Sequence, residues 1–325
     1  MNHAIRIHAH GGPEVLRWDE VALPAPGPGE ALVRHTAVGV NFIDTYHRSG
    51  LYPVGPLPSG LGSEAGGVVE AVGAGVTEVV PGDRVAYAGG PPGSYAERRV
   101  MPAARLVPLP QTIDERTAAA ALLKGMTVEY LVCRTYPVRS GETVLFHAAA
   151  GGVGLIACQW LKSVGATVIG TVSTDEKAEL ARAHGCDHTV VTAREDFVAR
   201  VRELTRGRGV PVVYDSVGRD TFLRSLDCLA PRGLMVSFGN ASGPPPALDP
   251  LLLAAKGSLF LTRPSLMAYT ATREELLASA AALFGQVERG AVRVEVHHEW
   301  PLLEAAAAQR TLEERKTAGS SLLRP

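Results

Sequence analysis

From residue 1 to about residue 110, apolar positions come in short runs broken by turn residues. Glu30–Val40, Gly67–Val72 and Arg84–Ala88 read as strands, divided by PAPGPGE, GAGV and PGD. Strands this short and irregularly spaced predict a β-rich, partly barrel-shaped domain rather than a βαβ sheet. The pattern changes near Asp114. Thr117–Leu123 begins a helical run, and Met126–Cys133 continues it after Gly125. A strand over Thr143–Ala148, the turn AAGGVG and a helix over Leu155–Val164 follow, then Gly165 and a second strand, Thr167–Val172. Helices at Asp175–His184, Phe197–Thr205 and Asp220–Cys228 alternate with strands at Thr189–Val191, Val210–Tyr214, Leu234–Phe238 and Ser258–Thr262. That alternation predicts an α/β fold with a doubly wound parallel sheet of Rossmann type. Helices at Glu274–Glu288, with Thr272 as N-cap, and at Leu302–Glu314 precede a closing strand at Ser320–Leu323. Val292–His297 resembles the front segments, so the tail is expected to complete the front domain, with the sheet domain inserted into it. The predicted boundaries are 1–125 with 265–325 for the β-rich domain and 126–264 for the dinucleotide-binding domain.

Composition narrows the function. Length 325 matches about two domains. Lys plus Arg number 32 against 33 Asp plus Glu, with a pI near 6.8, so there is no basic excess for a nucleic-acid partner. The apolar runs Ala118–Leu123 and Leu251–Ala255 are too short to span a bilayer, and the start, MNHAIRIHAHGG, has no apolar signal core. Cys133, Cys158, Cys186 and Cys228 are widely spread, which fits reduced thiols in the cytoplasm.

The dinucleotide signal is the most specific. Ala149-x-Gly151-x-x-Gly154 follows a strand and opens a helix: Gly151 admits a pyrophosphate, Gly154 lets helix pack on strand, and the helix N-terminus attracts the anion. Where an NAD enzyme places an acid on the ribose, about twenty residues on, this chain has Ser173, with Lys177 on the next helix. A hydroxyl and an ammonium suit a 2′-phosphate, so the expected cofactor is NADPH.

VGVNFIDTYHRSGLYP (Val38–Pro53) and LGSEAGGVV (Leu61–Val69) resemble the medium-chain dehydrogenase/reductase superfamily. In its zinc alcohol dehydrogenases the first segment carries a cysteine ligand and the second Gly-His-Glu. Here those positions are Asn41 and Ser63, and only Glu64 is retained. GGPPGSYAERR, the counterpart of the structural-zinc segment, has no cysteine. A zinc site needs three or four ligands, so no metal is expected. HGGPEVL, LKGMTVEYL, FHAAAGGVGLIACQW, VVYDSVGRDTF, SFGNASG, LTRPSL and GSSLL extend the likeness over the whole chain. They resemble the zinc-independent, zeta-crystallin-like quinone oxidoreductases, a family with a GroES-like domain and a Rossmann insertion that acts as a homodimer.

The resemblance implies site residues. Asn41, Phe42 and Tyr46 would face the nicotinamide, with Tyr46 and Tyr52 lining the substrate side; Asn41, Tyr46 and Tyr52 are the candidate catalytic residues. Thr127 and Tyr130 would approach the nicotinamide and diphosphate. Gly151, Gly152, Val153 and Gly154 would hold the diphosphate, and Ser173 and Lys177 the 2′-phosphate. Ser216, Val217, Phe238, Gly239, Asn240, Ala241, Thr262, Arg263 and Pro264 stand at later strand ends, and Arg315 would reach the cofactor from the tail. Thr192 replaces a tyrosine of close relatives on the phosphate side, with Arg194 as a compensating cation. The implied reaction is NADPH-dependent reduction of a small-molecule quinone. Two alternatives stay open: an NADPH-dependent 2-alkenal or enoyl reductase, and a non-catalytic, crystallin-like NADPH-binding protein.

Overall fold

A computed structural model describes all 325 residues. The chain forms two compact units. One contains residues 1–126, 269–288 and 294–325; the other contains residues 127–268 and 289–293.

The second unit is built on a six-stranded, wholly parallel sheet. From edge to edge its strands are His188–Val191, Thr167–Val172, Thr143–Phe146, Val210–Asp215, Leu229–Ser237 and Phe260–Thr262. Numbered along the chain the order is 3-2-1-4-5-6, that of the doubly wound dinucleotide fold. The sequence dictates this buried sheet. Val144, Leu145, Val168, Ile169, Val212 and Val213 are almost completely inaccessible, as expected of strands covered on both faces. Leu145, Ile169, Val190, Phe197, Val201, Val213 and Met235 share one core. Side chains start the helices: Thr174 accepts from the Lys177 N–H, and Asp196 from those of Val198 and Ala199.

The first unit is predominantly antiparallel. A seven-stranded sheet centres on Glu30–Val40, which pairs with Glu64–Val72, Arg98–Pro102 and the tail strand Ser320–Arg324. A three-stranded sheet joins His3–Ile7, Leu16–Glu20 and Ser59–Gly60. Both sheets drain into one core, where Ile5 and Ile7 meet Val33, Val69, Val85, Tyr95, Leu106 and Leu323.

Several elements differ from the sequence reading. An α-helix that the sequence reading did not include runs over Phe42–Ser49 with Asn41 as its N-cap, and the Asp44 carboxylate accepts the Asn41 N–H at 2.9 Å. Gly125 does not interrupt its helix, which runs Glu115–Glu129 before a π-helical turn at Tyr130–Thr135. It is a packing glycine: a Cβ there would lie 2.3 Å from Leu283 Cδ1. The strand expected at Val292–His297 forms later, at Val296–Pro301. Leu229–Ser237 is longer than expected, and its pairing with Val210–Asp215 shifts register between Val210 and Val212.

Candidate active site

In the second unit the predicted residues gather at the carboxyl edge of the parallel sheet. The strand order reverses between Thr143–Phe146 and Val210–Asp215, and the crevice outside such a switch point is where open α/β sheets bind ligands. Directly after the first of these strands, Gly151 is the extended N-cap of the helix Gly152–Val164, and no side chain caps it. The leading N–H groups of a thirteen-residue helix are thus left for an anion. Gly154 is the tight point. A Cβ there would sit 2.3 Å from Ala148 O and 2.6 Å from Ala149 backbone atoms, so only glycine lets this helix start so close to the strand end. At Gly151 a Cβ would meet only Ala148 O, at 3.2 Å.

Ser173 and Lys177 flank the end of Thr167–Val172, and no carboxylate occupies Ser173's place; Asp175, the first acid beyond it, bonds Arg194 Nη1 at 2.8 Å. Arg194, expected to make up for Thr192, is therefore held by Asp175. Thr192 closes the next strand, and its hydroxyl donates to Val172 O at 3.1 Å. Ser216 and Val217 follow Val210–Asp215, and the loop after Leu229–Ser237 folds onto them: Phe238 N–H donates to Asp215 O at 2.8 Å and Ala241 N–H to Ser216 O at 3.1 Å. Gly239 and buried Asn240 lie in that loop. Arg263, just past Thr262 and before Pro264, donates to Gly239 O at 3.0 Å. Thr127 and Tyr130 are buried where the long helix turns π-helical. A π turn inside a helix frequently marks a functional site.

In the first unit, Asn41, Phe42, Tyr46 and Tyr52 form a single group. The Phe42 and Tyr46 rings are 6.4 Å apart, and Tyr46 meets Tyr52 edge-on at 5.2 Å. Tyr52 N–H donates to Tyr46 O at 3.1 Å, fixing the second ring against the first. Asn41 is held from both ends. Its N–H goes to Asp44, and its side-chain amide donates to Glu64 Oε2 at 2.9 Å. Because a carboxylate only accepts, the Asn41 nitrogen must face Glu64. Arg315 is exposed, in left-handed backbone (φ 58°) just past the helix Ala305–Glu313.

Sequence reasoning missed what surrounds Asn41. Glu64 is fully buried and accepts from Lys124 Nζ at 3.0 Å and from the Leu123 N–H at 2.6 Å. Asp44, also fully buried, accepts from Ser63 Oγ at 2.9 Å and Tyr95 Oη at 3.0 Å. Burial, against these bonds, pushes its carboxyl up to about 6. Arg48 extends the network, donating to Gln309 at 2.6 Å, and Gln309 bonds Tyr95 Oη at 3.5 Å. A signal for Lys124 was present: a lone cation ending the apolar run Ala118–Leu123 on a helix lies near a buried face. No three His, Cys, Asp or Glu side chains converge anywhere in a geometry that could hold a metal ion.

Comparison with known proteins fits this construction. Residues 27–111 match the alcohol dehydrogenase GroES-like domain and residues 152–282 the zinc-binding dehydrogenase family. A quinone oxidoreductase of Pseudomonas aeruginosa is 55% identical over the full length of both chains. A 2-haloacrylate reductase of a Burkholderia species is 47% identical over 98% of each. The crystal structure of Escherichia coli quinone oxidoreductase complexed with NADPH superposes with a TM-score of 0.98 at 50% identity, covering 99% of this chain and all of that one. The chain belongs to the quinone oxidoreductase family of the medium-chain dehydrogenase/reductase superfamily.

Proposed function

We propose that this protein is an NADPH-dependent quinone reductase that works without zinc. The observation that carries the reading is the sheet's carboxyl edge: an uncapped helix N-terminus for a diphosphate beside a hydroxyl and an ammonium, rather than a carboxylate, for a 2′-phosphate. These residues fit NADPH. Gly151–Gly154 would hold the diphosphate, Ser173 and Lys177 the 2′-phosphate, and Ser216, Val217, Phe238–Ala241 and Thr262–Pro264 the remaining length. Thr127, Tyr130 and Arg315 are further proposed contacts.

When bound, the nicotinamide supplies a hydride from its C4. The protein's part is to place the acceptor and keep water away, which suffices for an already electrophilic quinone. Tyr46 and Tyr52 offer a ring surface for a flat acceptor. Asn41, clamped by Glu64 and Asp44, orients it by hydrogen bonding. Solvent supplies the protons. Zinc independence is supported by the Glu64 carboxylate, whose donors are an ammonium, an amide and a backbone N–H.

A second reading, reduction of a conjugated C=C bond, is favoured by the likeness to the Burkholderia 2-haloacrylate reductase. Loss of 340 nm absorbance with a panel of quinones and of 2-alkenals decides between them. Faster turnover of ortho-quinones with NADPH than with NADH is expected. Turnover confined to the alkenals would overturn the assignment, and equal rates with NADH would remove the role of Ser173 and Lys177.

We also propose a homodimer formed through the second unit. The edge strand Phe260–Thr262 pairs on one side only, and Phe260 is 61% exposed. Four free thiols fit a reducing compartment such as the cytoplasm.

A further inference from the structure

Beneath the switch point of the parallel sheet lies a buried polar chain that the reaction does not use. His147 directly follows the strand Thr143–Phe146 and is wholly inaccessible. Its Nδ1 is 2.9 Å from Thr171 Oγ1 and its Nε2 2.9 Å from Ser225 Oγ. Ser225 Oγ is in turn 3.2 Å from Asp215 Oδ2 and 2.9 Å from Thr221 O. Thr171, Ser225 and Asp215 are all buried, and they come from a helix and from the ends of the two strands that flank Thr143–Phe146.

The direction of the chain follows from what each atom can do. A carboxylate and a carbonyl only accept, so the single Ser225 proton points at one of them and Ser225 Oγ must accept from His147 Nε2–H. Nδ1 of the neutral ring then accepts the Thr171 hydroxyl proton. Burial keeps the ring neutral by lowering its proton affinity. Thr171 Oγ1 accepts the N–H of Ala148 at 3.3 Å. Ala148 is the left-handed residue (φ 54°) that turns the chain into the AAGGVG segment. At the far end, Asp215 Oδ1 accepts the N–H groups of Val217 (2.7 Å) and Gly218 (3.0 Å). Ser225 reaches Asp215 either directly or through Thr221, whose hydroxyl donates to Asp215 Oδ2 at 2.7 Å, so the polar chain links one ligand-facing turn to the other.

We propose that His147, with Thr171, Ser225 and Asp215, is a positioning element that holds the Ala148–Gly154 and Ser216–Gly218 turns in fixed relation for cofactor binding. This rests on the reading that this edge of the sheet binds NADPH. Each isosteric break in the chain frees one turn relative to the other, so the loss falls on cofactor affinity and spares the acceptor.

Thr171→Val and Ser225→Ala remove links while keeping shape, and His147→Gln keeps one donor toward Ser225. NADPH dissociation constants are measured by titration on the full-length protein, with KM for one quinone and a melting temperature. Thr171→Val and Ser225→Ala are expected to weaken NADPH binding about tenfold, with quinone KM within about twofold and His147→Gln intermediate. Cys228→Ala, a cavity in the same core outside the chain, is expected to lower the melting temperature with NADPH binding unchanged. NADPH binding within twofold of the unaltered protein in both link variants overturns the proposal alone. Absence of NADPH binding by the unaltered protein overturns the cofactor reading first, and this proposal with it.

Discussion

Lys124 and Glu64 are an ion pair in the interior, 5% and 0% exposed, at 3.0 Å. Taking two charges out of water is costly, and removing one partner leaves the other uncompensated, at about 3–5 kcal/mol. Lys124→Met should therefore destabilise the protein by that order in urea denaturation. Lys124→Met combined with Glu64→Gln should recover much of the loss, since a neutral pair carries no such penalty. If the double variant is as unstable as the single, the charge argument fails and packing explains the effect. Asp44 gives a second expectation. Its folded proton affinity lies above that of the unfolded chain, so the native state binds the proton more tightly between about pH 4 and 6. Stability contributed by the protonated form is present below about pH 4 and lost as pH rises through about 6, a change on the order of 3 kcal/mol. Buried His35, held down to about 4, gives the opposite slope over the same window in both proteins, so the test is the difference: the stability of the wild type relative to Asp44→Asn should fall as pH rises from about 4 to 6. In the sequence Glu64 stood out only as the retained residue of a Gly-His-Glu position, without its partners, and Asp44 did not stand out at all. Both sit in strings that give no local sign of which donors will surround them, because Lys124 lies 60 positions from Glu64 and Tyr95 51 from Asp44.

At the scale of elements, the strand–turn–helix at residues 143–164 was legible because its signals are local: a short apolar run, glycines, then a 3.6-residue period. The helix Phe42–Ser49 was not read, although Asn41 and Asp44 have capping-box spacing, because its apolar positions are few and proline follows closely. The helix Glu115–Glu129 was split at Gly125 because the sequence cannot show Leu283 packed on that glycine. The same kind of close approach makes a sharp prediction at Gly154. Gly154→Ala forces a methyl against the Ala148 and Ala149 backbone, where nothing flexible can yield. Overpacking of this kind costs about 1–3 kcal/mol. The displaced helix start should raise KM for NADPH by at least about tenfold, which steady-state kinetics at saturating quinone would read. An unchanged KM would show that this turn does not hold the diphosphate.

At the scale of the whole molecule, local patterns say least about partners in sheets. The tail strand Ser320–Arg324 pairs with Glu30–Val40, some 280 positions away, and only the general β character of the tail hinted at it. The other edge of long-range order is the parallel sheet's open strand. An exposed, unprotected edge is a template for pairing, and soluble proteins usually blunt it with charge, proline or a bulge. Phe260–Thr262 carries no charge, proline or bulge of its own, and Phe260 and Leu261 are 61% and 38% exposed. A second copy related by a two-fold axis covers such an edge with an identical edge, completing both hydrogen-bond ladders at once. The unaltered protein should then elute with light-scattering mass near twice the 34.2 kDa of one chain. Phe260→Lys puts a charge into that seam and should return the mass to that of a single chain. NADPH binding should persist, because the residues proposed for its diphosphate and 2′-phosphate lie at other strand ends of the same unit. A monomeric wild type would mean that the apolar edge is covered by something other than its own copy.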